Sequence, residues 1–442
     1  MKPAVGNSRE RTLAQRGRPF LEPPLGIAAL RRWVNVMGWP RCHDGIVNQL
    51  KQLAELAVVV GANVQPGQVV RITSEVGQQE MVRAVAEAAY LHGARFVDLD
   101  LTDPFVERMR VLHASAEALE YGPRWPDTRL RELDEEHGAS IKITGPTAPG
   151  LFADLDPVRV SKAQRPLSRV WREVEYRVNN TVVPGPTIPW AQWLRPELPA
   201  DEAFEALWAD VAIACRLHDP DPVAAWRERF AKLRRRAEAL TKLGLDALRL
   251  HGPGTDLLVG LPPSARWDHP GAINHRGVWH AWNLPSEEVY TVPDRNRVNG
   301  DVRLTRPVNV GGRLIDDVSM RFESGHVVSI SGGEGIEALR EFVQRDDGTE
   351  RLGEVALVDR ESAVAKAAQT FGVILLDENA ASHVALGFGF PELTAEEDRQ
   401  LVNDSGDHLD VMVGSDELEI IGLRADGEEH ALLRGGEWML ST

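Results

Sequence analysis

Cysteine is nearly absent from this chain. Cys42 and Cys215 are the only two among 442 residues, too few for a disulfide framework or a thiolate zinc site. That scarcity fits a reducing cytoplasm. Long apolar runs are missing as well. The best candidate, LAELAVVVGANV, is interrupted by Glu55 and Gly61 and falls short of the roughly eighteen residues that span a bilayer. Positive charge is in deficit. A formal net charge of −16 excludes a sequence-independent nucleic-acid binder, which needs a basic face. Tyrosine is scarce too, with four in the chain and none after Tyr290.

What is present reads as a soluble globular protein, 43% hydrophobic and 26% charged. Its length predicts two domains. Residues 1–44 stand apart: eight Lys/Arg against three Asp/Glu, rich in Pro and Gly, without periodicity. They predict a basic, flexible extension. Arg31 and Arg32 break the one stretch that could begin a secretory signal.

From about Ile46 the pattern becomes α/β. VVRIT, entered through the QPGQ turn, predicts a strand. QEMVRAVAEAAYLHG has helical spacing and a glycine exit, and ARFVDLDL predicts the next strand. That βαβ order favours a largely parallel sheet, which SIKITGP would extend. In DPDPVAAWRERFAKLRRRAEALTKLG, Asp221 is a good N-cap before Pro222, and Gly244 a good exit. Trp226, Phe230, Leu233, Ala237 and Leu240 form its buried stripe, and the Arg234–Arg236 run reads as its solvated face. Short β-rich runs follow it. The fold class is therefore α/β with two domains: an N-terminal α/β domain over 45–220 and a β-rich α+β metal-binding domain over 221–442.

Four acids and two histidines ask for a chemical reason. In HLDVMV a strand places His408 and Asp410 on one face and Leu409, Val411 and Val413 on the other. Glu378 and His383 are five residues apart, so they share no helical face and meet only if the chain bends at NAAS, which permits a loop feeding a helix. Glu288, beside Glu287, precedes Val289, and Glu354 heads the apolar run of RLGEVALV. Carboxylates on core strands cost several kcal/mol unless neutralised, and divalent cations neutralise them. His275, His280 and the SGGEG turn offer weaker signals; the last lacks the Lys-Ser/Thr of a phosphate loop.

PSEEVYTVPDRNRVNG, GEVALV, LLDENAASHVALG and HLDVMVGS, in that order, resemble the signature segments of the aminopeptidase T/aminopeptidase S family of dinuclear metallo-aminopeptidases. The resemblance runs from about residue 46 to the C-terminus. It implies Glu288, Glu354, Glu378, His383, His408 and Asp410 as ligands of two divalent ions, with Glu354 at the bridging position. Oxygen and nitrogen donors suit Zn, Co, Mn or Mg without selecting among them. It also implies a homodimer acting on peptides with a free N-terminus, through a metal-activated water. Glu288 or Glu378 would move the proton to the leaving amine. One position departs from the family pattern: a tyrosine belongs seven residues after the loop histidine, and Phe390 stands there. Tyr290, on the face of Glu288 where the family carries Phe, is the candidate replacement. A competing expectation uses His383, His408 and Asp410 alone, as the iron triad of a ring-cleaving dihydroxypyridine-type dioxygenase. A third is an inactive metal-binding homologue.

Overall fold

The βαβ order expected from Val69 onward builds a parallel sheet. A computed structural model of the chain describes residues 44–163, 170–367 and 369–440. The extension expected over 1–44 therefore lies outside the described residues except for Asp44, as does Cys42. Strands β1 (Val69–Glu75), β2 (Phe96–Thr102), β3 (Ala139–Thr144) and β4 (Asn179–Pro184) lie in the order β2-β1-β3-β4, all paired in parallel. The helix Gln79–Leu91 buries Met81, Val82, Val85, Ala88 and Ala89, the stripe expected from its spacing, and the chain leaves it through Gly93 at φ +88°. SIKIT lies in β3, as expected.

The long helix Pro222–Leu243 follows. Asp221 Oδ1 accepts from the Ala224 N–H at 2.9 Å, and Gly244 closes the helix in the left-handed region at φ +59°. Trp226, Phe230, Leu233, Ala237 and Leu240 are buried, as the spacing requires. The expected solvated arginine face needs correction. Arg234 and Arg235 are exposed, but Arg236 is buried, paired with Asp359 and set 4.8 Å from the Trp438 ring. Burial next to a carboxylate and an aromatic face compensates the lost hydration. A charge run read along the chain cannot reveal such distant partners.

Beyond the helix the sheets are antiparallel. Eight strands run from His326–Ser331 through Thr255–Gly260 and Ala247–Gly252 to Glu437–Trp438. A smaller four-stranded sheet comprises β5 (Glu288–Thr291), β6 (Leu352–Val358), β7 (His383–Gly387) and β8 (His408–Met412), in the order β8-β7-β6-β5. The whole is a two-domain α/β fold, a parallel four-stranded sheet followed by a large antiparallel region. Among the described residues no helix is long and apolar enough to cross a membrane.

Candidate metal centre

The register of the small sheet decides what its residues face. Tyr290 pairs with Ala356 and Glu288 with Val358; His383 pairs with Ala356 and Ala385 with Glu354; Asp410 pairs with Ala385 and His408 with Gly387. Directly paired residues share a face and alternate residues return to it. Glu288, Tyr290, Glu354, His383, His408 and Asp410 therefore all project from one face. His408 and Asp410 share that face as the HLDVMV alternation requires.

A bulge aims one of them. Leu352 pairs with Leu386 but Glu354 with Ala385, so Gly353 is an extra residue in β6. A Cβ at Gly353 would lie 2.3 Å from the carbonyl oxygens of Gly387 and Phe388, so only glycine fits this close approach. Glu378 arrives differently. The short helix Ile374–Asp377 leads into it, and the chain bends between it and His383 through the 3-10 turn Glu378–Ala380. A strand, β7, follows the bend where a helix was expected. The run HVALG explains why: five consecutive buried positions suit a strand covered on both faces.

The histidines are held for ligation through one nitrogen. His408 Nδ1 donates to the Phe388 carbonyl at 2.8 Å, and His383 Nδ1 to the Ala381 carbonyl at 3.3 Å. Each Nε2 then turns toward carboxylates. His383 Nε2 is 3.2 Å from Glu288 Oε2 and 3.8 Å from Asp410 Oδ1. His408 Nε2 is 3.2 Å from both Glu354 Oε2 and Asp410 Oδ1. Two donor groups result, Glu288–Glu354–His383 and Glu354–His408–Asp410. Glu354 belongs to both.

The donor set fits divalent cations. Glu288 Oε2 is buried and, beyond the 3.2 Å approach of His383 Nε2, makes no well-aligned hydrogen bond, as an atom turned toward a cation would. Burial and the neighbouring carboxylates Glu288 and Asp410 push Glu354 and Glu378 above the usual carboxylate range. Although burial opposes it, the surrounding carboxylates carry the His383 imidazole up to about 10 and His408 well above its usual value. Without cations, protons on the histidines and on the raised carboxyls offset part of this charge, so acid and metal would compete for the same atoms.

Glu378 stands outside both groups. Its Oε1 accepts from Asn379 at 3.2 Å and Asn283 at 3.4 Å, and it alone among the six lines a cavity of about 810 Å³. Asn379 also accepts the Glu287 N–H at 2.6 Å. Glu287 is fully buried and takes salt bridges from Arg216 and Arg229, while Asp359 takes them from Arg229 and Arg236. Arg229 and Arg236 tie the start of β5 and the end of β6 to the long helix, and Arg216 adds a bond from the segment before it. The sequence showed the Glu287–Glu288 pair but gave no sign of the asparagines. His280 is a core residue held by the Asn180 carbonyl, His275 is exposed, and neither lines the cavity.

A family model described as thermophilic metalloprotease (M29) matches residues 46–438. The chain belongs to the M29 thermophilic metalloprotease family. Aminopeptidase T of Thermus aquaticus is 36% identical over 408 residues, covering 90% of this chain and all of that one. Aminopeptidase 2 of Geobacillus stearothermophilus is 36% identical over 403 residues, 88% of this chain and 97% of its own. The solved structure of wild-type AmpT from Thermus thermophilus superposes with a TM-score of 0.82 at 35% identity, covering 89% of this chain and all of that one. M29 membership accounts for the resemblance carried by the four motifs, and it makes the chain a metal-dependent peptide hydrolase. Neither the family nor these relatives point to a dioxygenase.

Proposed function

We propose that the chain is an aminopeptidase that binds two divalent cations through Glu288, Glu354, His383, His408 and Asp410, with Glu354 shared. The observation that carries this reading is the pair of donor groups meeting at Glu354. When bound, the ions supply Lewis acidity for the scissile carbonyl and lower the pKa of water. Glu288, Glu354 and Asp410 offset three of the four positive charges of two such ions. Glu378, outside both groups and facing the cavity, takes the proton of the attacking water and hands it to the leaving amine. Asn283 and Asn379 fix the carboxyl that does so. A wild-type protein that releases no p-nitroaniline from any aminoacyl-p-nitroanilide, with Zn, Co or Mn supplied in turn, would rule the reading out.

Tyr290 takes the place of the family tyrosine in this proposal. Its ring lies 5.4 Å from Phe390, which lies 5.8 Å from His408, and it shares the ligand face of the sheet. A hydroxyl donor to the reacting carbonyl is worth about 10²–10³ in rate. Tyr290→Phe is expected to lower kcat on leucyl-p-nitroanilide by at least about tenfold. Adding Phe390→Tyr to that variant is expected to recover most of the loss. An unchanged kcat in Tyr290→Phe would remove the assignment.

The proposal extends to assembly and location: residues 45–220 form one wall of the substrate cleft and 221–442 the other, in a cytoplasmic homodimer. Edge strand β2 and the helix after it expose Phe96, Leu99, Leu101, Phe105, Val106 and Met109. An apolar sheet edge of this kind needs a partner or a cover. Phe105→Asp should shift the molar mass measured by light scattering from two chains toward one; a wild-type monomer would refute the dimer.

A further inference from the structure

The cavity that ends at Glu378 has a second end. Its opposite wall is formed by the carboxyl-terminal halves of β1, β3 and β4, the position at which open parallel sheets bind ligands. Thr73, Lys142 and Val182 are paired across these strands, so they share one face, and all three line the cavity. The helix Gln79–Leu91 covers the other face, where Val70 and Ile72 are buried.

This wall is rigid. Gln78 is buried; it accepts from the Ser74 hydroxyl and the Glu75 N–H, and donates to the carbonyls of Gly145 and Gly185. One side chain thus clamps three loops at the strand ends. A Cβ at Gly185 would meet Ile143 at 2.4 Å, so the loop after β4 packs directly on β3.

Charge is distributed unevenly along the cavity. Glu378 stands at the metal-ligand end. Glu75 is occupied by the Thr147 hydroxyl at 2.6 Å. Among the described residues Lys142 is the one cation lining the space, and its ammonium forms no ion pair with any of them. A peptide with free ends carries the complementary pattern, an amine at one end and a carboxylate at the other. About 810 Å³ falls in the range of sites that enclose small ligands.

We propose that Lys142 receives the C-terminal carboxylate of short peptides whose N-terminus lies at the Glu378 end, making this chain selective for small free-acid peptides over amidated ones. This inference rests on the aminopeptidase reading and deepens it. The wild-type protein is expected to show a kcat/KM for Leu-Gly-Gly about tenfold above that for Leu-Gly-Gly amide. Lys142→Met should bring that ratio toward one, mainly through KM, while Lys142→Arg, which keeps the charge, should preserve it. Calorimetric titration with the acid and amide of a tripeptide N-methylated at its first bond gives the same comparison without hydrolysis. Acid-selective binding by a wild type that hydrolyses nothing would refute peptidase activity and uphold the carboxylate site. A wild-type ratio near one, or an undiminished ratio in Lys142→Met, would overturn the proposal.

Discussion

Glu354→Gln is expected to lower kcat/KM on leucyl-p-nitroanilide by at least about 10³-fold and metal content from about two ions per chain to one or fewer. The substitution keeps size and shape while removing the one carboxylate common to both donor groups. Its effect on stability should have opposite signs in two conditions. Stripped of metal with a chelator, the wild type keeps Glu288, Glu354, Asp410 and Glu378 together in a buried pocket, where burial and mutual repulsion raise Glu354 and Glu378. A raised carboxyl costs stability at neutral pH whether it stays ionised or takes up a proton, and the amide carries neither cost, so the metal-free variant should melt above the metal-free wild type. With metal supplied the order should reverse, because bound ions stabilise only the chain that holds them. Two ions and full activity in the variant would exclude the shared-ligand assignment.

Glu378→Gln should separate proton transfer from ligation. General acid–base groups contribute about 10²–10⁴ in rate, so kcat should fall by that amount. Metal content should stay at about two ions per chain and KM should change little. The geometry behind this expectation is the exclusion of Glu378 from both donor groups and its place on the cavity wall. Metal analysis decides the matter: loss of an ion on Glu378→Gln would make the residue a ligand, as the family pattern implies.

Much of this centre was legible because strands alternate. HLDVMV, EEVY and GEVALV each place a candidate ligand opposite apolar neighbours, and period two survives the passage from sequence to sheet. The family motifs then supplied the order of the segments. Other features depend on contacts between residues far apart in the chain. Asn283 reaches Glu378 across 95 positions and Arg229 reaches Asp359 across 130. No local pattern marks either. Gly353 was legible only as a glycine, since its bulge exists relative to the partner strand. The bend at NAAS was readable, but the strand after it competed with a helix until β6 and β8 were there to flank it.

The alternation of the small sheet also bears on how the chain reaches its native state. Slipping β7 by one residue against β6 or β8 would turn His383 to the opposite face, and a slip in β8 would do the same to His408 and Asp410. A misregistered sheet loses at least one of the two donor groups, so under the proposed ligation divalent ions would bind tightly only to the correct pairing. During folding the ions would act as proofreaders, drawing the strands toward the one arrangement that captures them. Refolding from denaturant should accordingly give a lower yield of native protein when metal is withheld until the end than when it is present throughout.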